Sequence, residues 1–187
     1  MDAESATQLV IVLLSACVLA SIGGWARFGR TVWPPISLVL LAAASVVAAV
    51  ADELDTGGRE VATMMTVALA GATAVLGGGP LTMRVFAAVD AADPPAGRDP
   101  HPIETAGAVL RGGAWIGALE RGAVFASLAV GMPEGVAVVL GLKGLGRYPE
   151  LRNPEHSPGA AERFIIGTFT SVLWASACAG VVALSMR

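Results

Sequence analysis

The sequence predicts an all-α fold: a polytopic membrane helical bundle of about six transmembrane helices arranged as two halves of three. Three observations carry that expectation. First, the 187 residues are 55 % hydrophobic and only 14 % charged, with a mean hydropathy of +0.68, whereas soluble proteins carry about 25 % charged residues. Second, 23 glycines join alanine as the dominant small residues, which suits helices that approach closely in lipid. Third, no segment alternates polar and apolar residues with period two, as a membrane barrel requires. Helices are then the remaining way to satisfy a backbone in hydrocarbon. The net charge of −3 is too small to argue for a nucleic-acid partner, and none is expected.

Windows of about 20 residues, matched to the hydrocarbon thickness, give apolar segments at 6–25, 34–51, 61–79, 113–132, 134–148 and 162–185. The first follows the acidic start Met1-Asp2-Ala3-Glu4. A secretory signal opens with positive charge, so this segment reads as a retained span. The fifth is the shortest: from Pro133 to Tyr148 a helix rises only about 24 Å, less than the ~30 Å core. It is either a tilted span supported by its neighbours or the second arm of a re-entrant hairpin after Gly131-Met132-Pro133-Glu134.

Lysine and arginine set the orientation. Basic residues fall after span one (Arg27, Arg30), after span three (Arg84, Arg98, Arg111) and around the loop after span five (Lys143, Arg147, Arg152, Arg163). The loop after span two is acidic on balance (Asp52, Glu53, Asp55, Arg59, Glu60), and the turn after span four has no basic residue. Six spans with both termini outside put every basic connection on the cytoplasmic side of a bacterial-type plasma (inner) membrane. Trp25, Trp33, Trp115 and Tyr148 then fall at cytoplasmic boundaries as an aromatic belt, while Trp174 is mid-span and reads as packing.

The largest break runs from Asp90 to Pro102 and is rich in proline and charge. It divides the chain into an N-terminal half (1–90), a cytoplasmic linker (91–103) and a C-terminal half (104–187). Ile103 to Arg111 reads as a short amphipathic lead-in to span four. A second linker, Pro149 to Pro158, ends in Ser157-Pro158, an N-cap followed by proline at the first helical position.

Two groups of residues could carry chemistry. Gly77-Gly78-Gly79-Pro80 closes span three. It reads either as a helix break whose backbone groups touch a solute or as a helix end at the interface. The second group is a line of ionisable residues in apolar surroundings, each costly unless paired or used: Glu120, Arg121, Lys143, Arg147, Glu150, Glu162 and Arg163. Helical spacing aligns Gly113, Gly117 and Arg121 on span four. It likewise aligns Gly135, Val139, Lys143 and Arg147 on span five, and Gly167, Ser171, Ala175 and Ala179 on span six. These stripes predict that spans four to six meet with the charges near one level. The cluster is either an internal salt-bridge network or a cytoplasm-facing site for an anionic solute or lipid headgroup, with Glu120 as a proton or cation site. Cys17 and Cys178 read as small core residues, and His101 and His156 as solvated loop histidines. Gly141-x-x-Gly144-x-Gly146 lacks the strand and turn of a nucleotide fingerprint. No catalytic residue, metal or cofactor is expected, because no Ser-His-Asp order, HExxH or cleft-forming carboxylate pair is evident.

The same residues resemble an uncharacterised bacterial family of integral membrane proteins defined by a domain of unknown function. Its C-terminal pattern is matched by Gly113, Ile116, Gly117, Leu119, Glu120 and Arg121, by Lys143, Arg147, Glu150 and Leu151, and by Ala161, Glu162, Ile166, Gly167, Thr168 and Ser171. The match covers about a third of the chain. Longer members begin with a membrane segment containing His and Asp, whereas the first His here is His101. The resemblance implies that the motif residues act together and supplies no reaction.

Three functions follow as expectations. The first is a small transporter or channel-like protein, homo-oligomeric because six short spans leave little room for a private pore. The second is a protein that binds or processes anionic membrane lipids or lipid phosphates. The third is a structural or assembly subunit of a membrane complex.

Overall fold

Apolar side chains on every face of a segment leave a chain in lipid no alternative to internal backbone hydrogen bonding. In the computed structural model, which describes residues 3–26, 29–50, 59–92, 113–151 and 160–186, each such segment is one helix. The helices are α1 (Ala3–Gly23), α2 (Trp33–Val50), α3 (Arg59–Ala92), α4 (Gly113–Ala129), α5 (Glu134–Leu151) and α6 (Ala160–Ser185). Four of them, α1, α2, α3 and α6, are long and apolar enough to cross a membrane. The other two, α4 with 17 residues and α5 with Glu134, Lys143 and Arg147 along it, are shorter or more polar.

Small side chains share the interior with Leu14, Leu41, Phe125 and Trp174, while many large apolar side chains lie outside. Ala6, Ala44, Ala70, Ala74, Ala175, Cys17 and Cys178 are fully buried, while Leu19, Val39, Val50, Leu119 and Leu173 are exposed. This pattern is compatible with helices packed in lipid, where close backbone approach rather than apolar burial decides what lies inside. Hydroxyls are hidden the same way. Ser15, Ser45, Thr66, Thr170 and Ser185 each donate to the carbonyl four residues earlier in their own helix, which removes a polar group from the surface. Both cysteines are unbridged, and the Cys17 thiol donates to the Ser37 carbonyl at 3.2 Å, joining α1 to α2.

α3 is the hub. It packs on α1, α4 and α6 and touches α2, while α6 also packs on α2 and α4. Contacts therefore run freely between the segments before and after the linker. α5 is peripheral: it packs mainly on α4, with a small contact to α6. α4 and α5 form a hairpin through a Schellman turn. Gly131 takes φ +74°, its N–H bonds Leu128 O at 3.1 Å, and Met132 N–H bonds Ser127 O at 2.8 Å. This closes the last carbonyls of α4. A side chain on Gly135 would overlap Ser127 Oγ, so the two arms start in close contact.

Three sequence-derived boundaries move. α3 does not stop near Gly79 but continues to Ala92, about 51 Å at 1.5 Å per residue, so it outruns a ~30 Å hydrocarbon core. Asp90 is therefore helical rather than part of the linker. α5 carries on through Pro149 to Leu151, where the sequence suggested a linker from Pro149. The remaining linker residues, the lead-in at 103–111, the acidic loop at 52–58 and Ser157-Pro158 lie outside the described residues.

The continuity of α3 through Gly77-Gly78-Gly79-Pro80 corrects both sequence readings of that run, and packing supplies the reason. A Cβ on Gly77 would lie 2.6 Å from the Trp174 ring, and one on Gly79 would lie 2.9 Å from the Trp25 ring. One on Gly78 would overlap Arg121 Cδ. The glycines are flat ground on which three side chains lie, not a place where the helix stops. Gly78→Ala should therefore destabilise the protein by about 1–3 kcal/mol, the usual cost of overpacking. Gly141→Ala, on a surface with no atom within 4 Å, should be neutral or gain up to about 1 kcal/mol from helix propensity. Thermal unfolding of the two variants in detergent checks the contrast.

Candidate functional site

Pro80 has no N–H, so the carbonyl of Leu76 loses its intrahelical donor. Trp25, just past the end of α1, fills that gap: its indole Nε1 donates to Leu76 O at 3.0 Å. Gly24 lets this segment approach, since a Cβ there would lie 2.8 Å from Pro80 Cβ. Two further donors reach the same turn of α3. Arg121 on α4 donates Nε and Nη2 to Val75 O at 3.1 and 2.8 Å. Trp174 on α6 donates Nε1 to Thr73 O at 3.0 Å. Backbone groups at the glycine–proline run are thus engaged by the protein's own side chains.

Arg121 is 5 % exposed, and its described hydrogen bonds go to a neutral carbonyl rather than a carboxylate. The preceding residue points elsewhere. Glu120 accepts from Lys143 of α5 in an ion pair in which both side chains are about four-fifths buried. The Lys143 ammonium also lies 5.9 Å from the centre of the Phe164 ring of α6, within the range of a cation–π contact. Glu120, Arg121, Lys143 and Ser171 line a depression between α4, α5 and α6, with Val139 and Val172 among its apolar walls. It measures about 220 Å³ including its open mouth, and its enclosed part has room for about one water molecule.

Other charges occupy a second level. Arg163 of α6 pairs with Asp90 of α3 at 2.5 Å and stacks 5.6 Å from the centre of the Phe86 ring. Asp90 lies about three turns beyond Gly78, roughly 18 Å along α3. Glu162 is exposed in the first turn of α6, and Arg147 is half-buried one turn beyond Lys143. The side chain of Glu150, together with Arg152, His101 and His156, lies outside the described residues.

The expected single layer is therefore two. Glu120, Arg121 and Lys143 come together beside Gly77–Pro80, and Arg163 belongs to the α3–α6 end. The small-residue stripe of α6 also meets α3: Gly167 lies against Phe86, and Ser171, which lines the depression, has its Oγ 3.5 Å from Thr82 Oγ1. Gly117 serves Arg121 itself, since a Cβ there would lie 3.1 Å from Arg121 Nη1. The sequence reading did not single out the carbonyls of Thr73, Val75 and Leu76, and it placed Trp25 in an aromatic belt and Trp174 in packing. The available signal was Pro80, whose missing N–H guarantees one orphan carbonyl inside any helix that contains it. Asp90 was missed because it adjoins a proline-rich stretch.

No family model, curated protein or solved structure matches this chain.

The two ion pairs should differ in strength. A double-mutant cycle on Glu120→Gln and Lys143→Gln should give a coupling above about 1 kcal/mol, because the pair is largely withdrawn from water. The same cycle on Asp90→Asn and Arg163→Gln should give about 1 kcal/mol or less, as for exposed pairs. Thermal unfolding of the single and double variants measures both.

Proposed function

We propose that the chain is an integral membrane protein of six spans, with both termini outside a bacterial-type plasma membrane, and that it handles a small ion in a transporter or channel-like role. Four helices long and apolar enough to cross, plus a tight α4–α5 hairpin, support an even number of crossings. The positive-inside distribution supports the orientation.

One observation carries the ion-handling role. An ion pair, Glu120–Lys143, lines an open depression beside the buried cation Arg121 instead of being sealed in the core. A charge pair kept purely for stability is better replaced by packed apolar residues. Charges retained at membrane depth and open on one side mark ion pathways. Because the enclosed part has room for about one water molecule, an ion fits better than a large solute or a lipid phosphate. A homo-oligomer is part of this reading, since α3 occupies the middle of α1, α2, α4 and α6 among the described residues.

A second role, as a structural or assembly subunit, is favoured by Arg121 and the Asp90–Arg163 pair, both of which tie helices to α3.

Two measurements test this. In intact cells, Asp55→Cys should react with an impermeant maleimide and Ser157→Cys should react only after permeabilisation. The reverse pattern would refute the orientation, and the buried native cysteines give no background. Purified protein in liposomes should conduct or exchange ions, with Glu120→Gln changing the rate about tenfold or more. A rate indifferent to Glu120 removes the ion-handling role and leaves the structural one.

A further inference from the structure

We infer that the depression beside Arg121 binds a monovalent anion about the size of a water molecule, a halide by chemical class, and that Glu120 limits its affinity by repulsion. The inference rests on the ion-handling reading and adds the sign and the size of the ion.

Charge decides the sign. Two cations, Arg121 and Lys143, and one carboxylate, Glu120, face the depression. Glu120 and Lys143 neutralise each other, which leaves the guanidinium. Of the acidic side chains at the other described level, Asp90 is engaged by Arg163 about three turns along α3 and Glu162 is exposed. A cation entering the depression would meet Arg121 and compete with Lys143 for its only carboxylate. An anion would meet a net charge of +1, two cations and one carboxylate, among apolar walls, where attraction is stronger than in water.

Donors decide the chemistry. A guanidinium has five N–H groups, and the described bonds to Val75 O use one on Nε and one on Nη2. Gly117 leaves the space over Nη1 free of a side chain. The Ser171 hydroxyl adds another donor. Its neighbour Thr82 already donates to Gly78 O at 2.7 Å, and the Thr82–Ser171 separation of 3.5 Å is long for a bond between hydroxyls. With the Thr82 proton on Gly78 O, Ser171 is the donor of that long contact, a weak bond that a ligand in the depression would replace. A buried Thr168 hydroxyl with no partner among the described residues lies one turn earlier on α6.

Space decides the size. Room for about one water molecule admits a halide and excludes a phosphate group, while the Val139 and Val172 walls suit a weakly hydrated ion better than a divalent one.

The test replaces gluconate by bromide at constant ionic strength and follows the thermal midpoint of the detergent-solubilised protein. Binding to the folded state should raise the midpoint along a saturating curve. Exchanging sodium for potassium should leave it unchanged. Ser171→Ala should raise the half-saturating bromide concentration several-fold. Glu120→Gln, which removes the only negative charge of the site, should lower it about tenfold. Should Glu120→Gln prove too unstable, the Ser171→Ala arm decides alone. A midpoint that follows the cation, or a bromide response lost in Glu120→Gln, overturns the anion and leaves an ion-handling site of the opposite sign. A rise that is linear and identical in every variant overturns it as well, and liposome flux then judges the earlier reading independently.

Discussion

A backbone carbonyl without a donor is expensive in hydrocarbon, and Pro80 creates one at Leu76 in the middle of the longest helix. Much of the packing at that level follows from how this carbonyl and its neighbours are engaged. Trp25 reaches Leu76 O, Arg121 reaches Val75 O and Trp174 reaches Thr73 O. These donors come from the end of α1, from α4 and from α6, so one turn of α3 ties together segments far apart in sequence. Three consecutive glycines let the donors lie against the helix. Apolar packing alone would leave such a bundle short of directional contacts, since lipid tails match leucine in polarity. Indole and guanidinium donors supply the direction.

The second consequence concerns charge. Arg121 and Glu120 are adjacent in sequence yet face different partners, one a carbonyl of α3 and the other a lysine of α5. The guanidinium on Val75 O, one residue before the carbonyl that Pro80 deprives of its donor, gains from backbone partial negative charge as a cation does at a helix C-terminus. Among the described residues Arg121 has no carboxylate hydrogen-bonded to it, and it lies next to a pair that already neutralises itself. A structural role and the proposed ion-binding role are thus compatible in one residue. Its inner donors hold α3, and its outer face meets the depression.

Much of this was legible in the chain. Helical class, the positions of α1, α2 and α6, and the helix-forming character of 113–132 and 134–148 follow from hydropathy and from the loss of alternation. Glu120, Arg121 and Lys143 stood out because ionisable groups in apolar segments are costly wherever the fold puts them. Less legible were the fate of Gly77–Pro80, the length of α3 and the separation of Arg163 from the other charges. Glycine and proline in a row signal a break when judged by local propensity. Here propensity yields to donors arriving from Trp25, Arg121 and Trp174, none of them near in sequence.

The sequence by itself determined that the chain folds as apolar helices and which ionisable residues must find partners, because both depend on composition within a single segment. Tertiary structure alone decided which partner each one finds. Lys143 chooses Glu120, Arg163 chooses Asp90, and Arg121 chooses a backbone carbonyl instead of an acid. Those choices depend on the relative rotation and height of helices around α3, set by where glycine permits close approach. That geometry belongs to pairs of segments, and no single segment contains it.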